Sequence, residues 1–148
     1  MINMNNLMRL KIKDRECNIK YDNIIQKIMK STKVVKNLII FDENRKFDKI
    51  NIDFDMINKI YGDKTGYEVA CNEIRIDTRD FCITQVIPFL TDISYEFAKK
   101  YNKKIVLYMQ CLNDCFELRF HTLWKNEDLW LNKDLDVYDI PIICYIPN

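Results

Sequence analysis

The chain has one histidine, and it ends a segment whose residue types could do acid–base chemistry. Phe116-Glu117-Leu118-Arg119-Phe120-His121 alternates apolar and polar residues. Alternation at a period of two marks a strand with unlike faces. Glu117, Arg119 and His121 are therefore predicted to share an exposed face. A histidine titrates near neutral pH, a carboxylate beside it can orient it, and an arginine can hold a phosphate or an oxyanion. Such a set would suit a small phosphodiester hydrolase or nuclease. The plainer reading is an ion-paired sheet surface, with Arg119 bridging Glu117 and an acid of a neighbouring strand, Glu73 or Asp77. One histidine is thin equipment for two-step proton transfer, so the plainer reading is preferred. Glu73-Ile74-Arg75-Ile76-Asp77 alternates in the same way and supplies that neighbour.

Other chemistry is sparse. Asp53, Asp55, Glu73 and Asp77 could chelate Mg²⁺, but no motif fixes them together. Cys111 and Cys115 are four apart, and neither a CxxC nor a second ligand pair completes a zinc set. No catalytic residue, metal or cofactor is assigned. The chain has 22 isoleucines and only two glycines, Gly62 and Gly66. Phosphate-cradling loops need clustered glycines, which argues against P-loop and Rossmann nucleotide binding.

A recognition surface is better supported. Residues 126–139 hold five acids (Glu127, Asp128, Asp134, Asp136, Asp139) against Lys133 alone, among Trp130 and Tyr138. Aromatic anchors ringed by carboxylates suit a basic protein partner. The competing reading is that Trp124 and Trp130 are both core and the acids solvate a loop.

These residues need elements to position them. Met1–Asn6 is expected to be a loose end and Met8–Lys13 a strand. Asp22 caps a helix with Ile24, Ile25, Ile28 and Met29 on one stripe. Val34, Val35 and Leu38 could prolong it. Leu38–Phe41 reads as a buried strand, and Phe47, Ile50 and Ile52 as an extended piece. Asp53 or Asp55 caps a short helix closed by Gly62. Residues 62–66 form a turn and Tyr67–Asp77 a strand, bulged near Cys71 and Asn72. Val86, Leu90, Ile93, Phe97 and Tyr101 space a long helix with Pro88 in its first turn. Residues 104–111 and 116–122 form a hairpin that sets Leu107 opposite Phe120, Met109 opposite Leu118, and Tyr108 opposite Arg119. Pro141 demotes Ile142–Ile146 to a sheet edge. The expected fold is a single α+β domain over residues 1–148: a mostly antiparallel sheet of about five or six strands with two main helices on one face. Its core includes Ile25, Ile28, Ile39, Phe41, Ile74, Ile76, Leu90, Ile93, Phe97, Leu107, Met109, Leu118 and Phe120.

The totals fit that fold. Apolar residues make up 48% of the 148 and charged residues 30%, a globular composition. The net charge of +1 gives no general attraction to nucleic acid. Residues 1–36 nevertheless hold nine Lys/Arg against three acids. No apolar run approaches a membrane span, and no secretory signal is evident. Six scattered cysteines are expected to be free thiols in a reducing cytoplasm.

Residues 72–148 resemble small bacterial immunity proteins, which neutralise polymorphic or contact-dependent toxins. The carrying residues are Asn72-Glu73-Ile74-Arg75-Ile76, Phe116-Glu117-Leu118-Arg119-Phe120-His121-Thr122, Trp130-Leu131, Asp134-Leu135, Tyr138 and Pro141. The resemblance implies a cytoplasmic, non-enzymatic protein that binds a cognate toxin and blocks it. Its acidic tail would suit a basic nuclease toxin. The expected interface is Trp130, Asp134, Asp136 and Tyr138, with Glu117, Arg119 and His121 second. A hydrolase built on His121, or a structural subunit of a phage or mobile-element assembly, are the alternatives.

Overall fold

A computed structural model describes residues 1–13 and 17–148. Asp14, Arg15 and Glu16 of the basic N-terminal stretch lie outside the described residues. The first element is a strand, β1 (Ile2–Met4), and not a loose end. Helix α1 (Asn6–Lys11) follows, where alternation had predicted a strand. Six residues fit either period, and the cap decides: the Asn5 side chain accepts from the Met8 amide at 2.9 Å. Met8 and Ile12, one turn apart, then reach the core.

Helix α2 (Asp22–Ser31) forms where predicted, but Asp22 is its first residue and not its cap, which is Tyr21. It does not continue. Thr32–Val35 (β2) and Leu38–Phe41 (β3) make a separate two-stranded hairpin. Its turn is Lys36-Asn37, both at positive φ (46° and 72°), as a two-residue hairpin loop requires. Residues 46–48 form a single helical turn rather than an extended piece. Asp53 caps α3 (Phe54–Tyr61), and Gly62 closes it at φ +82°.

Residues 64–77 depart most from expectation. The Asp63 carboxylate accepts from the Gly66 amide at 2.7 Å and starts a second helix, α4 (Lys64–Cys71). Only Glu73–Asp77 (β4) is strand. Thr65, Glu68 and Val69 are buried at helical spacing. The broken alternation near Cys71 was therefore a helix end, not a bulge.

Helix α5 (Val86–Tyr101) ends at Asn102 in the left-handed region. Strands β5 (Ile105–Cys111) and β6 (Cys115–Thr122) pair in the predicted register, Leu107 with Phe120 and Tyr108 with Arg119. Strand β7 (Ile142–Tyr145) completes an antiparallel five-stranded sheet in the order β1-β7-β5-β6-β4. So β7 is interior, and β1 and β4 are the edges. Pro141 precedes the first paired residue, so its missing N–H costs the ladder nothing, and its carbonyl still accepts from Cys111.

The fold is α+β as predicted. The predicted core residues gather between the sheet and helices α2 and α5, with Phe41 at the margin. A second apolar cluster covers the opposite sheet face, and a third joins the β2–β3 hairpin to α3 and α4. Six free thiols were expected, but Cys17 and Cys82 form a disulfide with Cα atoms 6.2 Å apart. Cys71, Cys111, Cys115 and Cys144 are free. No helix among the described residues is long and apolar enough to cross a membrane.

Candidate functional site

Glu117, Arg119 and His121 share a face of β6, as their spacing requires, but the expectation that this face is exposed is corrected. Residues 123–140 fold back across it, laying Leu129, Trp130, Leu131 and Leu135 on Val106, Tyr108 and Cys144. That segment has no long helix or strand whose periodicity would announce a covered face.

His121 is 1% exposed. Its Nδ1–H donates to the Thr122 carbonyl at 2.7 Å; a carbonyl only accepts, so the proton sits on that nitrogen. Nε2 then accepts from the Tyr108 hydroxyl at 3.1 Å. The two rings stack with centroids 5.7 Å apart. Burial pushes the imidazole pKa down, so the ring is neutral at pH 7. Burial also pushes the Tyr108 pKa up. With both nitrogens engaged, His121 has none to offer a substrate and instead ties β5 to β6.

Each of the three Arg119 nitrogens is engaged as well. It donates to Glu117 and Glu73 at 2.6 Å each and to the Val69 carbonyl at 3.1 Å. Its guanidinium carbon lies 5.6 Å from the centre of the Trp130 ring. This is the ladder across β4 and β6, with Glu73 as the bridging acid. Asp77 instead receives both Nε and a terminal nitrogen of Arg79, at 3.0 and 2.7 Å. Those bonds hold its pKa down at about 2.

The sequence reading missed two buried polar residues. Glu68 has no exposed surface. Its carboxylate accepts from the Ile39 and Thr122 amides at 2.7 and 2.8 Å, and from the Thr122 hydroxyl and Trp124 indole at 3.0 Å each. Burial pushes its pKa up, and those four donors pull against the shift. Asn72, also buried, accepts from the Phe41 amide and donates to the carbonyls of Ile39 and Phe120. These side chains join the β2–β3 hairpin to the sheet. Lys64 and Lys103 approach the Trp124 ring centre to 4.7 and 5.1 Å above this joint. The break in alternation before Glu73 was the available signal.

The acidic segment divides. Glu127 accepts from the Thr65 amide and hydroxyl at 2.8 Å, holding the start of α4. Asp136 accepts from the Asn6 amide at 2.7 Å, holding the start of α1. Asp134 accepts from the Asp136 amide, and the Tyr138 hydroxyl accepts from the Asn132 amide, both at 3.0 Å. Asp128 and Asp139 are exposed. Trp130 stands edge-on to Tyr108, centroids 5.3 Å apart, and is half-buried. The structure thus brings Trp130, Tyr108, Arg119 and His121 into one cluster, with Asp134, Asp136 and Tyr138 on the segment outside it. Asp53 caps α3, away from Glu73 and Asp77 on β4, and no group of three or more His, Cys, Asp or Glu residues gathers a metal site among the described residues.

Residues 3–147 match a family model described as Uncharacterized protein PM0498 family. No curated protein and no solved structure matches the chain.

Proposed function

We propose, from the premise that the chain belongs to the PM0498 family, that it is a binding protein of the immunity type, which neutralises a cognate bacterial toxin and transforms no substrate itself. The observation that carries the reading is the state of its sole histidine. A buried, neutral ring with both nitrogens engaged favours structure over proton transfer.

The docking surface in this reading is the segment that covers the sheet. Trp130 is held from beneath by Tyr108 and Arg119 yet keeps part of its ring exposed. Exposed carboxylates of Asp128, Asp134 and Asp139 surround it in sequence. A pre-positioned aromatic with acids at its rim suits a basic cleft, the kind a nuclease toxin presents to RNA or DNA. The cytoplasm is the compartment proposed. Four cysteines standing as thiols support a reducing compartment, and the Cys17–Cys82 disulfide is the observation that weighs against it.

The test is co-expression with toxic C-terminal domains encoded immediately upstream of this chain. Growth rescue, together with a complex that co-purifies, is the expected result. Failure of every such domain to be rescued or bound would overturn the proposal.

A further inference from the structure

We propose that the free edge of β4 takes an extended segment of a partner protein as a sixth strand, with basic, acidic and basic side chains at alternate positions. The inference stands independently of the toxin reading, because it rests on the edge of the sheet and not on the segment that covers it.

Among the described residues, strand β4 is paired only with β6. Among the described residues, the backbone of Glu73–Ile76 makes no hydrogen bond beyond that ladder. The nearby edge of β3 is treated differently: Glu68 and Asn72 side chains satisfy its Ile39 and Phe41 groups. The unpaired groups of β4 open onto a groove of about 650 Å³ that all five β4 residues line. The far wall is α2, which contributes Asn23, Ile24, Lys27 and Ile28 at one-turn spacing. A strand added here would satisfy the edge with main-chain bonds and send every second side chain into the groove.

The side-chain pattern specifies the occupant. Ile74 and Ile76 face inward, toward Ile24, Ile28 and Phe41, so the partner's inward positions are apolar. Glu73, Arg75 and Asp77 line the opposite face, with the Arg75 side chain 63% exposed. In the free chain Glu73 is paired with Arg75 and Arg119, and Asp77 with Arg79, so an incoming strand competes with those pairs; directly opposed residues favour unlike charges, so the partner reads basic, acidic, basic. The sign pattern is the same in either direction, so parallel and antiparallel partners obey one rule. A second copy of β4 is disfavoured in the one register that pairs its full length. Antiparallel pairing over all five residues would set Arg75 against Arg75 and Glu73 against Asp77, like against like. Charges on an edge strand also guard against aggregation, but a guarded edge does not require a groove walled by Ile24, Ile28 and Phe41 beside it.

The probe is a fluorescein-labelled peptide, Thr-Lys-Val-Glu-Val-Lys-Thr, titrated with the full chain and followed by fluorescence polarisation. Expected is saturable binding at least about tenfold tighter than for the sign-reversed peptide Thr-Glu-Val-Lys-Val-Glu-Thr. Arg75→Glu should erase that preference. N-methylation of the two valines, or of the two lysines and the glutamate, blocks alternate edges of the peptide, and one series should abolish binding while the other is tolerated. No saturation at millimolar peptide, equal binding of both charge patterns, or indifference to both methylation series would each overturn the proposal. So would a dimer in sedimentation that Arg75→Glu dissolves, since the occupant would then be a second copy.

Discussion

At the scale of single residues, the structural weight falls on buried polar groups. Glu68→Ala would leave four donors without their acceptor, and the expected loss is on the order of 3 kcal/mol or more in urea unfolding. Glu68→Gln, which keeps the shape and one oxygen, should lose less. His121 makes stability depend on pH. Its folded pKa lies below the unfolded value of 6.5, so the unfolded chain binds the proton first. The stability it confers is complete above pH 6.5 and is lost as pH falls from there through the folded pKa. Melting temperatures from neutral to mildly acidic pH should therefore drop more steeply for the parent than for His121→Phe. Equal slopes would mean that the imidazole titrates freely.

At the scale of elements, two glycines and one disulfide hold the turns. Gly62 has φ +82°, and a Cβ at Gly66 would lie 2.9 Å from the Tyr61 carbonyl oxygen. Alanine at either site should destabilise the α3–α4 corner, Gly62→Ala by about 1 kcal/mol or more. Gly66→Ala should cost more, since the backbone must move. Cys17 and Cys82 close a loop of 65 residues, and cross-linking such a loop is worth about 4 kcal/mol by chain entropy. Cys82→Ser should lower the melting temperature under oxidising conditions and change nothing under reductant. Helices α2, α3 and α5 and the β5–β6 register were legible in the sequence because each depends on local period, a helix stop or a two-residue turn. Helix α4 was not, because its start is set by Asp63 and by Glu127, sixty-two residues from Thr65 in sequence.

At the scale of the whole molecule, the segment over residues 123–140 has to serve as both lid and surface. Trp130→Ala should destabilise the fold, because it uncovers Tyr108 and Arg119. Charge reversal at Asp139, which is exposed, should leave the melting temperature unchanged and slow association with a basic partner. Reversal at Asp136 should do both, because the start of α1 hangs on its carboxylate. Stopped-flow on-rates set beside thermal melts separate these outcomes; an unchanged on-rate for Asp139→Lys would remove electrostatic steering from the proposed function.

The sequence by itself determined the α+β class, helices α2 and α5, the hairpin pairing and the membership of the main core. These follow from apolar periodicity, which is written into neighbouring residues. Only the tertiary structure decided that the Glu117, Arg119 and His121 face is covered, that β7 is interior, that Cys17 meets Cys82, and that β4 is left with an open edge. Each of those depends on where a distant segment comes to rest. Alternation says that a strand has two faces, but not what lies against each.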